Sequence, residues 1–399
     1  MDMQELAVVA NEWFDGERRQ RDMATFLVRD GHIEEIAAGD HSAALATRGV
    51  PVERGGFLMP GLVDAHAHLF LDGKPTDAST RSAHLKKPIE ELAEVARASA
   101  RQALSCGITL VRDAGDRHGI NNAIRAEARQ PGSQMARVRS GGLGVKRPNR
   151  YGAFMAMEVA DADAIRDSVT TLARDNDEIK LILTGIIDFD AGAVIDDPQF
   201  DLESTQLVVN TARQCGRSTF AHCSGMKGLE IAVEAGVGSI EHGFFMSRDI
   251  LQRMAEKGIA WTPTFSPVHF QWTHPEAVGW SQQTMGNLRR ILDDHARHLQ
   301  MADKLGVMLL LGTDAGSMGV EHGHAVFEEI NRYREAGLSL ETTLTAATTA
   351  ARRYFGVADP TLAKGAAFDA LLFDVSPFVD IAVLMQPRHV WLSGYRINR

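Results

Sequence analysis

Pro60-Gly61-Leu62-Val63-Asp64-Ala65-His66-Ala67-His68 reads as a short apolar strand that carries two histidines out of its far end. Side chains alternate faces along a strand, so His66 and His68 point the same way and can bind one ion. A borderline-soft divalent metal such as zinc takes imidazole nitrogen and carboxylate oxygen together. Further along the chain, Lys180, His222 and His242 follow in order, and Leu311-Gly312-Thr313-Asp314-Ala315-Gly316 closes the set. In that last stretch Gly312 and Gly316 permit close approach of the loop backbone to a metal or substrate. A buried carboxylate at Asp314 needs a cation or hydrogen-bond donors to stay ionised.

Outward from this strand, the middle of the chain alternates short apolar runs with amphipathic stretches, the pattern of repeated βα units. The expected strands cover residues 62–65, 109–112, 137–140, 179–183, 218–221, 238–241, 259–262 and 308–311. Helical stretches between them include 88–105, 161–175, 202–215 and 275–305. Eight such units over roughly 300 residues fit an α/β fold of the (β/α)8 TIM-like barrel type, which typically needs ~250. A doubly wound open sheet is the rival. The two ends read differently. Strands are expected at 5–10, 25–29 and 32–37, with Asp30-Gly31 as a two-residue turn, and again at 370–373 and 390–392, with Gly394 in a turn. This predicts a small β-sandwich domain built from both termini, residues 1–58 and 366–399, around a barrel over 59–365.

In such a barrel the catalytic side chains sit at the C-terminal ends of strands. His66, His68, His222, His242 and Asp314 all comply. Lys180 lies early in its run, so either that strand ends before 183 or the lysine is not at the site. It reads either as a lysine snorkelling to the surface or as a desolvated amine of lowered pKa, able to react with carbon dioxide. A carbamate so formed has two oxygens and can bridge two metals about 3.5–4 Å apart. Cys223 adjoins His222 but points to the opposite face.

The loop Val145-Lys146-Arg147-Pro148-Asn149-Arg150-Tyr151 brings three cations near the predicted mouth. It is either a solvated loop or a contact for an anionic or strongly polar substrate through Arg147, Arg150 and Tyr151. His322, in a His-x-His after a Gly-rich loop, is a further substrate-contact candidate. The remaining histidines at 84, 118, 269, 274, 295 and 298 read as loop or polar-helix residues. Trp261, Phe265, Phe270 and Trp272 form either an aromatic wall or packing against the barrel rim.

The 399 residues carry a net charge of -10 and no strong basic run, which argues against a nucleic-acid surface. Hydrophobic content of 44% with 24% charged residues is ordinary globular composition. Three widely spaced cysteines make no disulfide framework and suit a reducing cytoplasm. The sequence shows neither a signal peptide nor a run of ~20 apolar residues, so no membrane partner is expected.

Taken together, these motifs resemble the metal-dependent amidohydrolase superfamily. The resemblance runs from Asp30-Gly31-His32-Ile33 through the Pro60–His68 stretch, Ser239-Ile240-Glu241-His242-Gly243 and Gly312-Thr313-Asp314 to Ala346-Ala347-Thr348-Thr349-Ala350-Ala351-Arg352. The ordered set of six is similar to the prolidase-like and imidazolonepropionase-like members, whose strand-four lysine is carboxylated and bridges two zinc ions. The resemblance implies that His66, His68 and Asp314 hold the more buried metal and His222 and His242 the outer one. Carboxylated Lys180 would bridge them. It further implies a hydroxide shared by the ions as nucleophile, with Asp314 moving its proton to the departing nitrogen. Two departures bear on substrate. Ser140-Gly141-Gly142-Leu143-Gly144 stands where prolidase-like relatives have Thr-Gly-Gly-His-Gly, and Ser224 replaces a tyrosine two residues beyond the fifth-strand histidine.

The function expected is hydrolysis of a C–N bond in an amide, cyclic amide or urea-like small molecule, by a homo-oligomer. Two alternatives stand beside it: a mononuclear deaminase or chlorohydrolase of the same superfamily, and a non-catalytic scaffold. The mononuclear members lack the strand-four lysine and place a glutamate shortly after the fifth-strand histidine. Here no acid follows His222 until Glu230.

Overall fold

Two parallel sheets with helices in their connections form the centre of the computed structural model, which describes residues 5–74, 77–130 and 132–398. One sheet runs Leu62–Ala67, Ile108–Asp113, Arg137–Ser140. The other runs Ala156–Glu158, Gly144–Lys146, Ile179–Ile182, Thr219–Cys223, Ser239–His242, Ala260–Thr262. Strands buried on both faces need near-continuous apolar runs, and here every residue of Leu62–Ala67, Ile179–Ile182 and Thr219–Cys223 is buried.

The sheets approach each other at both edges. At one, Leu309 bridges Trp261 in parallel sense, and the Ala65 N–H donates to the Leu311 carbonyl at 2.9 Å. At the other, the Asp177 N–H donates to the Ser140 carbonyl at 2.9 Å. The strand expected at 308–311 is therefore a bridging segment, not a full strand. Its Leu311 N–H goes to the Ala346 carbonyl at 3.1 Å, which breaks the ladder on one side.

Helix boundaries follow from local chemistry. Asp161, Asp201, Ser247 and Ser281 each accept a backbone N–H from three residues on, and Gly236, Gly258 and Gly306 close helices in the left-handed conformation. The helix expected from 275 starts only at Gln282–Leu305. A single 3-10 turn at Pro275–Ala277 is cut off by Gly279, at φ +72°, and Ser281 then caps the real start.

Both termini contribute to one mostly antiparallel sheet. Its order is Tyr395–Arg396, His389–Leu392, Ala370–Phe373, Val52–Pro60, Glu5–Phe14, Ala24–Arg29, His32–Ala38, with Arg19–Gln20 beside Glu5–Phe14. Asp30 and Gly31, at φ +49° and +78°, make the tight turn predicted for them. Val52–Pro60 pairs in parallel with Glu5–Phe14 and was not expected from the sequence. It leads straight through Gly61 into Leu62–Ala67, so one extended segment joins the terminal sheet to the strand that carries the histidines. A Cβ on Gly61 would lie 2.4 Å from Thr109 Cγ2, so only glycine fits that crossing.

The space between the parallel strands is charged. Arg112, Glu241, Glu178 and Lys180 are all essentially inaccessible to solvent. Arg112 donates to Glu241 Oε2 at 2.7 Å and to the Ala65 carbonyl at 2.6 Å, and stacks over Phe220 at 4.6 Å. Glu178 takes Arg139 Nε at 2.7 Å. Such pairs are costly to break, because removing one partner strands a buried charge. Among the described residues, no helix is long and apolar enough to cross a membrane. Cys215 and Cys223 are free thiols.

Candidate active site

Five of the six expected side chains stand at the C-terminal ends of parallel strands or just beyond. His66 is next to last in Leu62–Ala67 and His68 follows it, His222 is next to last in Thr219–Cys223, His242 ends Ser239–His242, and Asp314 follows the 308–311 segment. His66 Nε2 and His68 Nε2 each lie 3.6 Å from Asp314 Oδ1. The three ligand atoms of this group all fall within 4.8 Å of one another. Ring centroids of His66 and His242 are 5.0 Å apart, and those of His222 and His242 4.5 Å.

The rings of His66, His68 and His242 are each aimed by the other nitrogen. His66 Nδ1 sits 2.7 Å from Glu241 Oε2, His68 Nδ1 2.9 Å from the Gly115 carbonyl, and His242 Nδ1 2.7 Å from Thr264 Oγ1. The carboxylate on His66 Nδ1 and the carbonyl on His68 Nδ1 can only accept, which fixes the tautomer that leaves Nε2 as a lone pair toward the centre; the Thr264 hydroxyl can donate or accept. Among the described residues, His66 Nε2 and Lys180 Nζ are buried and lack any hydrogen-bond partner. Orphaned nitrogens in so dry a place are what a cation-binding centre presents before its ion is considered, so these residues fit a metal.

The Lys180 conflict resolves by length. Its strand ends at Ile182, two residues on, and Lys180 pairs with Phe220 while Ile182 pairs with His222. A strand advances about 3.3 Å per residue, so the long lysine side chain can span the two-residue step to the histidine level. Lys180 is fully buried, with Nζ 5.1 Å over the Phe220 ring, so it does not snorkel to the surface. Burial lowers its amine to about 8, against the upward pull of Glu241 and Asp314. Burial first, and the Lys180 charge second, push His68 and His222 down to about 3. Asp314 is raised to about 6 by burial, with Lys180 opposing.

Backbone strain completes the arrangement. His242 has φ +67°, Thr264 +51° and Asp314 +56°. Left-handed backbone at a non-glycine residue persists only where surrounding structure holds it. At His242 it breaks the alternation, so Glu241 and its neighbour His242 both reach the centre. Gly312 and Gly316 let the aspartate loop approach the backbone of the histidine segment closely. A Cβ on Gly312 would meet the His66 backbone nitrogen at 2.7 Å, and one on Gly316 the His68 carbonyl at 2.6 Å. Ser317 Oγ donates to Asp314 Oδ2 at 3.0 Å. Asp64 accepts from Thr313 N and Oγ1 at 3.0 and 2.6 Å, tying the histidine strand to the aspartate loop.

Two cavities open over this group. The larger, of about 610 Å³, lies against Arg81, His84, Phe154 and Asp72. The smaller, of about 240 Å³, lies against Ile186, Phe189, Phe244 and Val268. Tyr151, His222, His242, Asp314 and Ser317 line both. Of the four substrate-contact candidates, only Tyr151 is brought there, its ring 5.4 Å from His222. Arg147 is spent on the Val159 and Ala160 carbonyls and Ser204, and Arg150 on the Asp197 carbonyl. His322 is buried on the Leu71 carbonyl at 2.8 Å. None of these three lines either cavity.

Trp261 and Phe265 are packed in the core, and the aromatic wall is made by Tyr151, Phe154, Phe189 and Phe244 instead. His84 does line the larger cavity, although its Nε2 is taken by the Phe70 carbonyl. Sequence reasoning missed Arg81, Ser317 and Glu241. For Glu241 a signal existed: Arg112 and Glu241 are opposite charges in two segments that read as barrel strands, which calls for a buried pair. Arg81 and Ser317 lie in loop or short-helix segments with no local mark.

Residues 57–397 match the Amidohydrolase family. An uncharacterised protein of Mycobacterium tuberculosis is 29% identical over 343 residues, 85% of each chain. Ochratoxinase of Aspergillus niger is 25% identical over 383 residues, 88% of this chain and 76% of its own. Its crystal structure matches with a TM-score of 0.81 at 23% identity, covering 99% of this chain and 96% of that one. A Xaa-Pro dipeptidase with bound methionine in its active site gives 0.85 at 22% identity, covering 99% and 100%.

Proposed function

We propose, from the premise that the chain belongs to the amidohydrolase family, that it is a metal-dependent hydrolase of a C–N bond in a small molecule. The bond is that of an amide, cyclic amide or urea-like compound. The observation that carries this reading is the convergence of His66 Nε2 and His68 Nε2 on Asp314 Oδ1, beside the Lys180 amine, which has no hydrogen-bond partner among the described residues. In the same reading the two parallel sheets and the 308–311 segment are one (β/α)8 barrel over residues 59–365. The terminal sheet, residues 1–58 and 366–399, is the β-sandwich domain. A homo-oligomer in the cytoplasm, acting without nucleic acid or membrane, goes with it.

His66, His68 and Asp314 would hold one divalent ion, zinc by the mixture of imidazole and carboxylate donors, and His222 and His242 a second. Lys180, as its carbamate with carbon dioxide, would bridge them. When bound, the two ions supply a water of near-neutral acidity and polarise the scissile carbonyl. The remaining work falls to the chain. Asp314, with Oδ2 held by Ser317, accepts the proton of the attacking water on its other face and returns it to the leaving nitrogen. Glu241, Gly115 and Thr264 hold the rings so that Nε2 atoms stay inward. Tyr151, whose phenol is kept neutral by burial, can donate a hydrogen bond to substrate where the two cavities meet.

A screen of zinc-loaded protein against N-acyl amino acids, dipeptides, hydantoin-like rings and arylureas tests the reading. Turnover of at least one class, abolished in Asp314→Asn, is expected. Bound metal near one ion per chain, with deamination of a heterocycle, would favour the mononuclear alternative.

A further inference from the structure

The short helix Ala78–His84 covers the larger cavity, starting from Asp77, which accepts the Ser79 and Thr80 N–H groups at 2.8 and 3.0 Å. Its Arg81 is half-buried and lines that cavity together with Asp314 and Ser317. Among the described residues the guanidinium donates one hydrogen bond, from Nη2 to the Gly316 carbonyl at 3.1 Å, and no carboxylate comes within 4.0 Å of it. Arginine has five N–H donors in a planar fork that matches a carboxylate. Other arginines of this chain spend theirs inside the protein. Arg112, Arg139 and Arg97 pair with glutamates, and Arg147 and Arg150 with carbonyls. Asp72, the acid on the same wall, takes the Lys74 N–H at 3.2 Å and stands 3.9 Å from His84 Nδ1. Burial lowers the Arg81 pKa, with the charges of Asp72 and Asp314 pulling the other way. On the far side of the Asp314 group, the smaller cavity is walled by Ile186, Ile187, Phe189, Phe244, Val268 and Met318.

We infer that Arg81 is the substrate's carboxylate anchor, and that the substrate is a carboxylate-bearing amide whose apolar half fills the smaller cavity. The inference rests on the hydrolase reading of the same site. It moves the anion contact from the Arg147–Arg150 loop to the helix over the opposite wall. Arg81 is tethered to the carbonyl of Gly316, two residues from Asp314, so a carboxylate clamped by its free N–H groups is registered against the proton-transferring group. A bidentate clamp rejects a neutral isostere, because the guanidinium is then left partly desolvated and unpaired.

Two matched pairs test this on zinc-loaded protein. The first is hydrolysis of N-benzoylglycine against its carboxamide, and the second is calorimetric binding of phenylpropanoate against phenylpropanol. The wild-type protein should favour the acid in both pairs by at least about tenfold, a factor that one charge-assisted pair readily supplies. Arg81→Leu should lower both preferences at least about tenfold, and Arg81→Lys should retain part of each, since a point charge remains without the fork. An acid preference in Arg81→Leu within about twofold of wild type would overturn the assignment. Amide hydrolysis with no acid preference overturns the anchor while leaving the hydrolase standing. Arg81-dependent binding of phenylpropanoate with no amide turned over upholds the anchor and removes the hydrolase.

Discussion

Glu241 Oε2 lies 2.7 Å from His66 Nδ1 and, on its other side, 2.7 Å from Arg112 Nη2. One buried carboxylate thus holds a candidate metal-binding ring and neutralises a buried guanidinium. Glu241→Gln keeps the shape but weakens both bonds, and metal retention should fall about 10–100-fold in competition with a chelator. Glu241→Ala should instead destabilise the fold by about 3–5 kcal/mol, because buried Arg112 loses its close carboxylate and keeps only Glu178, 3.7 Å from Nη1. Chemical denaturation distinguishes the two variants, and equal loss of stability in both would contradict this division of roles.

Lys180 carries an amine that, among the described residues, has no hydrogen-bond partner in a solvent-free setting. Burying an unpaired polar group is costly, so metal-free Lys180→Met should be more stable than metal-free wild type by about 1–3 kcal/mol. Loaded with zinc, the same variant should hold about one ion per chain where wild type holds about two. Elemental analysis after gel filtration reads the second outcome.

Asp314→Asn removes the proton acceptor while keeping an oxygen near His66 and His68. The expected loss in kcat is about 10²–10⁴-fold. Ser317→Ala frees Oδ2 and should cost far less, with KM little moved, because its hydroxyl orients the carboxylate through a single bond at 3.0 Å. Steady-state kinetics on any substrate from the screen measures both.

Asp113 is raised to about 6, by burial first and by Asp116 second, although Leu69 N, Gly115 N and Asn121 Nδ2 donate to it. A carboxyl with a raised folded-state pKa binds more protons in the native state than in the unfolded chain. Stability from this group is therefore greatest below the unfolded value and declines as pH rises through the folded value. Relative to Asp113→Asn, metal-free wild type should lose on the order of 2 kcal/mol between pH about 4 and 6. Urea titrations across that range test the sign, and a gain with rising pH would refute it.

Gly312 has no room for a side chain, since a Cβ would lie 2.5 Å from Thr262 Cγ2 and 2.7 Å from the His66 nitrogen. Gly312→Ala should cost about 1–3 kcal/mol and push the Asp314 loop away from His66. Weaker zinc binding should accompany the lower unfolding midpoint.

The local code of the chain determined a good deal. Period-two alternation placed His66 and His68 on one face, turn chemistry set Asp30-Gly31, and the order of apolar runs located the strands that end at His222 and His242. These follow from the backbone's own periodicity, which a sequence displays directly. Other features depended on groups far apart in the chain. Lys180 reaches the centre because its side chain can span a two-residue step, and His242 because a left-handed φ of +67° overrides alternation. Arg147 and Arg150 turn to carbonyls supplied by distant segments, while Arg81, unmarked in the sequence, is left facing the cavity. Residue type states what a side chain can bond to. Which partner it finds is settled by packing, because the competing donors and acceptors come within reach only when the chain has closed around them.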